Sequence, residues 1–161
     1  MNEYLLSLVN KYKSTGILVD SNLFLLYLVG SIDSSLISRF KRTSEFSIDD
    51  FEKVSQFIDF FDLKITTPHI LTEVSNLLGE NFYLQNTLRT YISKLNEVNM
   101  ESVKVGKNEA FVKFGLTDTA IITTSGNLRL IFTKDMPLFH FLCTSGIDAV
   151  SLEQVRTIRL D

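Results

Sequence analysis

Short apolar runs of strand length alternate in this chain with longer stretches of helical period, and that alternation leaves few architectures open. Ile17-Leu18-Val19, Lys64-Ile65-Thr66-Thr67, Leu128 to Thr133 and Ile147 to Leu152 read as strands. The segments between them carry apolar residues at helical spacing, so each connection contains helix. Strands joined through helices run parallel and are covered on both faces. The expected fold is therefore α/β, a three-layer sandwich with a central parallel sheet flanked by helices. At 161 residues and 45% apolar content the chain suits one domain, 1–161, with a real core.

Punctuation residues refine this outline. Tyr4, Leu5, Leu8, Val9 and Tyr12 predict a helix over 3–13 with Gly16 as its stop. After Val19, Ser21 or Asn22 is available to cap a helix that ends near Gly30. Residues 31–47 are polar, serine-rich and basic at Arg39, Lys41 and Arg42, which predicts a mobile surface insert. Ser47 with Asp50 resembles a capping box, followed by the stripe Phe51, Val54, Ile58 and Phe61. Thr67-Pro68 combines a cap with proline at the first helical position. Asn81 is expected to cap a long helix through Val98. Two shorter helices are expected on either side of Gly115, the second starting at Thr117.

Composition removes several classes of function. A net charge of −3 argues against bulk electrostatic binding of nucleic acid, though a local basic patch and bound cations can supply that attraction. The single cysteine, Cys143, allows no internal disulfide and no cysteine-based zinc site; its apolar neighbours assign it to core packing. The longest apolar run is too short to span a bilayer, and no basic leader opens the chain, so a soluble cytoplasmic protein is expected. A serine triad lacks its Gly-x-Ser-x-Gly elbow. A phosphatase with Asp20 as nucleophile would resemble Asp-x-Asp, whereas position 22 is Asn. His69 and His140 fall inside helical runs as surface or packing residues.

Four carboxylates remain. Asp20 and Asp135 follow strand-like runs, Glu73 borders the apolar stripe of its helix, and Asp118 lies in the first turn of another. Each has a modest alternative: Asp20 and Asp135 as caps, Asp118 as a partner of the helix dipole, Glu73 as an exposed flank residue. In a layered α/β fold, all four positions lie along one edge of the sheet. Gathered there, the acids repel unless a cation neutralises them, and the fitting ion is a hard divalent metal. Thr133, two residues before Asp135, is suited to hydrogen-bond a carboxylate.

The segments Val19-Asp20-Ser21-Asn22, Thr67-Pro68-His69-Ile70-Leu71-Thr72-Glu73-Val74, Phe114-Gly115-Leu116-Thr117-Asp118-Thr119-Ala120 and Phe132-Thr133-Lys134-Asp135 together resemble the PIN-domain family of metal-dependent nucleases. The likeness extends from about residue 16 to 151. It implies a parallel sheet of about five strands and an acidic set, Asp20, Glu73, Asp118 and Asp135, that binds Mg²⁺ or Mn²⁺ and cuts RNA. Asn22 and Thr133 match polar positions beside the acids. Arg39, Lys41, Arg42, Arg129 and Lys134 are candidate contacts to substrate phosphates. Many members of the family are toxins of toxin–antitoxin pairs, so a homodimer and an antitoxin protein are the implied partners. The stretch 31–62 and the helix before the first strand depart from the compact toxins. A PIN-like module that binds RNA or protein without catalysis is the alternative.

Overall fold

The computed structural model describes residues 3–158. Its elements are α1 (Glu3–Tyr12), β1 (Ile17–Val19), α2 (Ser21–Ile32), α3 (Leu36–Arg39), α4 (Ile48–Asp59), β2 (Lys64–Thr66), α5 (Pro68–Leu78), α6 (Phe82–Ile92), β3 (Asn96–Glu97), α7 (Ser102–Gly106), α8 (Phe111–Ser125), β4 (Leu130–Thr133), α9 (Met136–Thr144), β5 (Ala149–Ser151) and α10 (Leu152–Arg156). All strand pairs are parallel, in the order β3-β2-β1-β4-β5. Every residue of β1, β4 and β5 is buried, so helices cover both faces of the sheet and the molecule has the expected three layers.

The strand order opens a crevice at one edge of the sheet. From β1 the chain moves outward to β2 and β3, then returns to add β4 and β5 on the other side. The carboxyl ends of β1 and β4 therefore adjoin at the point where the winding reverses. In open α/β sheets that crevice is where ligands bind.

The helix starts obey their local chemistry. Thr67 caps α5 through a bond from the Ile70 N–H, with Pro68 at its first turn; Asn81 caps α6; Ser47 and Asp50 close the capping box of α4. A second capping box, Ser151 with Gln154, opens α10. The core beneath is aromatic around Phe57, whose ring meets Phe61 at 5.6 Å and Phe132 of β4 at 5.0 Å.

Several expectations are corrected. α2 ends at Ile32, near Gly30 as expected, but Gly30 itself is buried inside the helix, where a Cβ would lie 2.3 Å from the Phe51 ring of α4. The glycine is what lets the two helices approach. The helix expected over 81–98 stops at Ile92, and Asn96–Glu97 joins the sheet edge as β3, followed by a bond from the Val98 N–H to the Thr66 carbonyl. Cys143 is exposed, not core, because α9 buries Leu138 and Leu142 and the next residue turns away from that stripe. The 31–47 segment holds the turn α3 and is pinned by buried Ile37, Thr43 and Phe46, the Thr43 hydroxyl donating to the Ile37 carbonyl at 2.8 Å. Among the described residues no helix is long and apolar enough to cross a membrane.

Candidate functional site

At the end of β1 the chain must turn out of the sheet and start α2 at once, and Asp20 makes that turn. It, not Ser21 or Asn22, is the N-cap: its Oδ1 accepts from the Leu23 N–H at 2.9 Å. Its Oδ2 accepts from the Thr133 hydroxyl and from the Lys134 N–H at 3.1 Å, both at the end of β4. Thr133 in turn accepts from the Asp135 N–H at 2.9 Å, and Asp135 caps α9 through the Leu138 N–H at 2.7 Å. One threonine hydroxyl thus ties two strand-end aspartates together across the winding reversal. Capping uses one lone pair of a carboxylate oxygen and leaves others for a cation.

Glu73 reaches the same place from α5. Its Oε2 accepts from the Ser21 hydroxyl at 2.6 Å, so the residue after Asp20 holds the glutamate. From the sequence, Ser21 is expected only as a cap; the structure makes it a site residue. Its place beside a strand-end aspartate, and its burial, are the signs that mark it. Asn22, expected in that supporting part, is exposed, and its side chain makes no hydrogen bond among the described residues.

Asp118 comes from α8, three residues after a kink. Gly115 sits at φ 75°, ψ −172°, a conformation costly for any residue with a Cβ, and the helix resumes beyond it. The break falls at the expected glycine, but Thr117 makes no capping bond among the described residues. Asp118 is half-buried and also lacks a side-chain hydrogen bond among those residues. Its carboxyl is pushed up to about 7, first by burial and then by the charges of Asp20, Asp135 and Glu73. Asp20, 3 % exposed, is also raised: burial outweighs its three hydrogen bonds, and the charge of Asp135 adds to it. The four acids therefore share one electrostatic neighbourhood. They do not form a closed ligand cage: among the described residues no three His, Cys, Asp or Glu side chains converge closely enough to hold a metal ion. Capping and the Ser21 and Thr133 bonds point several of the oxygens at protein partners.

The basic candidates separate by position. Arg39, Lys41 and Arg42 are exposed on the 31–47 segment. The Lys134 ammonium turns to Glu45 at 2.5 Å and lies 4.9 Å from the Phe46 ring centre, so only its backbone N–H serves the carboxylates. Arg129 is not part of the site. It precedes β4 at the amino end of the sheet, one strand length from Thr133, with its guanidinium lowered by burial. Beside Glu73 an open groove of about 510 Å³ runs between α5 and the part of α8 just past its Gly115 kink, along His69, Thr72, Asn76, Ser102, Leu116 and Thr117. No family model matches the chain, and no curated protein matches it.

Proposed function

We propose that this chain is a metal-dependent endoribonuclease of the PIN kind, hydrolysing RNA phosphodiesters at the carboxyl ends of β1 and β4. The observation that carries this reading is Asp118. A carboxyl with no hydrogen bond among the described residues, raised to about 7 by burial and by three neighbouring acids, needs a compensating cation to ionise fully at neutral pH. A divalent ion such as Mg²⁺ or Mn²⁺, when bound, supplies that neutralisation together with Lewis acidity toward the phosphodiester.

The chain's own residues would act around it. Asp118, Asp135 and Glu73 offer oxygens free of hydrogen bonds among the described residues, and Asp20 anchors the set through Thr133. Thr133 and Ser21 orient Asp20 and Glu73, as partners outside a ligand set do. Without an ion Asp118 retains a proton near neutrality, so metal and proton compete for the same carboxylate. Arg39, Lys41 and Arg42 are left as the charges that would meet substrate phosphates.

One observation favours the alternative of an inactive PIN-like binding module: no three ligating groups converge among the described residues. Cleavage of single-stranded RNA with and without Mn²⁺ separates the two. The nuclease reading expects Mn²⁺-dependent cutting that falls more than about 100-fold in Asp118→Asn and in Asp20→Asn. Equal rates in the wild type and both variants would sink it. The toxin role is the finer form of the proposal and expects growth arrest on induction, relieved by Asp118→Asn.

A further inference from the structure

The groove beside Glu73 has one wall from α5 and another from α7 and α8, and its polar groups differ in what they already hold. The Thr72 hydroxyl donates to the Pro68 carbonyl at 2.8 Å, and His69 Nε2 and the Ser102 hydroxyl bond each other at 3.2 Å. Glu73 is held by Ser21. The Asn76 amide and the Thr117 hydroxyl have no hydrogen bond among the described residues. Asn76 is also exposed, so its amide is open to whatever enters. Asparagine is a poor residue for the body of a helix, and Asn76 sits inside α5 with no side-chain bond to offset that preference.

The surroundings of Asn76 say which part of a substrate fits. It comes three residues after Glu73, so one helical turn, about 5–6 Å, separates the two side chains on one face of α5. The groove is open space that continues from Glu73, and a nucleotide joined to a phosphodiester at the acidic set extends into it. No lysine or arginine lines the groove among the described residues, so it suits the uncharged part of a nucleotide and not a phosphate. Leu77 on α5 and Leu116 on α8, the latter 41 % exposed, give apolar surface for the faces of a base. The volume, about 510 Å³, lies within the range for sites that hold one small ligand, about 300–1,000 Å³.

We propose that this groove seats the nucleotide next to the scissile bond and that Asn76 reads its base as adenine. The assignment rests on the nuclease reading for the identity of the substrate. An asparagine amide offers one donor side and one acceptor side, which match the amino group of adenine and the ring nitrogen beside it. Guanine is matched by arginine or lysine, which the groove lacks. Cytosine is matched by a carboxylate, and the carboxylate that lines this groove, Glu73, belongs to the acidic set. Thr117, one residue before Asp118, adds an unspent hydroxyl on the opposite wall for the ribose hydroxyls.

Two measurements on the full chain test this. Binding of fluorescein-labelled oligouridylates of about eight nucleotides, each with one central A, C or G or none, is read by polarisation in chelator. Mapping of cleavage sites in Mn²⁺ on RNA of mixed sequence reads the base beside each cut. Both are expected to favour adenine by at least about fivefold. Asn76→Leu should level that preference, and Asn76→Asp should move it toward cytosine, whose amino group a carboxylate accepts. A residue that only shaped its helix would change the melting point and not the preferred base. Asn76→Leu should melt close to the wild type, because the amide is exposed and unbonded among the described residues. Adenine-selective binding that depends on Asn76, without any Mn²⁺-dependent cutting, would sink the nuclease reading and keep the groove assignment for a binding module. Cutting without a preference for adenine, or with one that Asn76→Leu leaves unchanged, would overturn the assignment and leave the nuclease reading standing. Neither binding nor cutting would overturn both.

Discussion

Two buried aspartates in this molecule have opposite fates. Asp50, in the first turn of α4, is gripped by Arg156 of α10, with Nε to Oδ1 at 2.7 Å and Nη2 to Oδ2 at 3.0 Å, and it accepts from the Ser47 N–H at 2.9 Å. Burial pushes its carboxyl up, but the guanidinium and the capping bond pull harder, and it rests below the usual range. Asp20, at the end of β1, has three hydrogen bonds and no basic side chain among the causes of its shift, and it rests above. Asp118 nearby has other acids for neighbours and rises to about 7. An acid matched by a fork of two N–H groups ties elements together. Acids facing one another across the ends of β1 and β4 oppose folding while they are charged, and the proposed cation would relieve that opposition.

The largest stability effect is expected where the compensated acid loses its partner. Arg156→Leu leaves Asp50 buried and unpaired. Breaking such a pair costs about 3–5 kcal/mol when both groups are buried, and Arg156 is partly exposed, so about 2 kcal/mol is expected. For a chain of this size that is a melting point lower by about 4–8 °C. The sign with pH comes from the lowered carboxyl. Its stabilisation is complete above the unfolded value near 4 and is lost as pH falls through the folded value, so the gap between variant and wild type should close in strong acid. A gap that persists below pH ~2 would mean that Arg156 acts through packing alone.

Asp118→Asn should move stability the other way. A carboxyl raised to about 7 is protonated in both states below about pH 4, and folding loses stability as pH climbs from there to about 7. In metal-free protein at pH ~8 the asparagine variant should therefore be the more stable, by about 2 kcal/mol after allowing for partial exposure, and the two proteins should melt together at pH ~4. Mn²⁺ at pH ~8 should raise the melting point of the wild type and leave the variant nearly unmoved. Denaturant melts across this range sharpen the contrast with Asp50; a destabilised Asp118→Asn at pH ~8 would remove it.

How much of the fold and the site is legible in the sequence depends on whether a local pattern or a distant neighbour decides. The strands β1, β2, β4 and β5, the Thr67-Pro68 start and the Ser47/Asp50 box are set within a few residues and are readable. β3 is not: Asn96 and Glu97 are both exposed and belong to the sheet only through Ile65 and Thr66, about thirty residues earlier. Gly30 reads as a helix stop because glycine is one in isolation, whereas Phe51 on another helix gives it its role. Asp20 carries two readings, cap and site, and the structure gives it the capping bond and the acidic neighbours together. Arg129 lies at the start of the expected strand Leu128 to Thr133, and the start of a strand lies at the opposite edge of the sheet from its end, so its exclusion from the site follows from that place.

Ser21 is the smallest and sharpest test of the acidic side. Its hydroxyl donates to Glu73 at 2.6 Å while its own backbone continues from Asp20, so it couples α5 to the end of β1. Ser21→Ala removes one hydrogen bond to a half-buried carboxylate, with an expected cost of about 1 kcal/mol. If Glu73 stood alone, the freed carboxylate would simply turn to solvent. Glu73 is instead one of the charges that raise Asp118, the smallest after burial, Asp20 and Asp135, so its release should also let the Asp118 carboxyl fall slightly from about 7. Carboxyl titration by NMR reads that shift directly in metal-free protein. A lower melting point with an unmoved Asp118 would reduce Ser21 to a helix-docking residue, whereas both changes together mark it as the support of Glu73 within the acidic set.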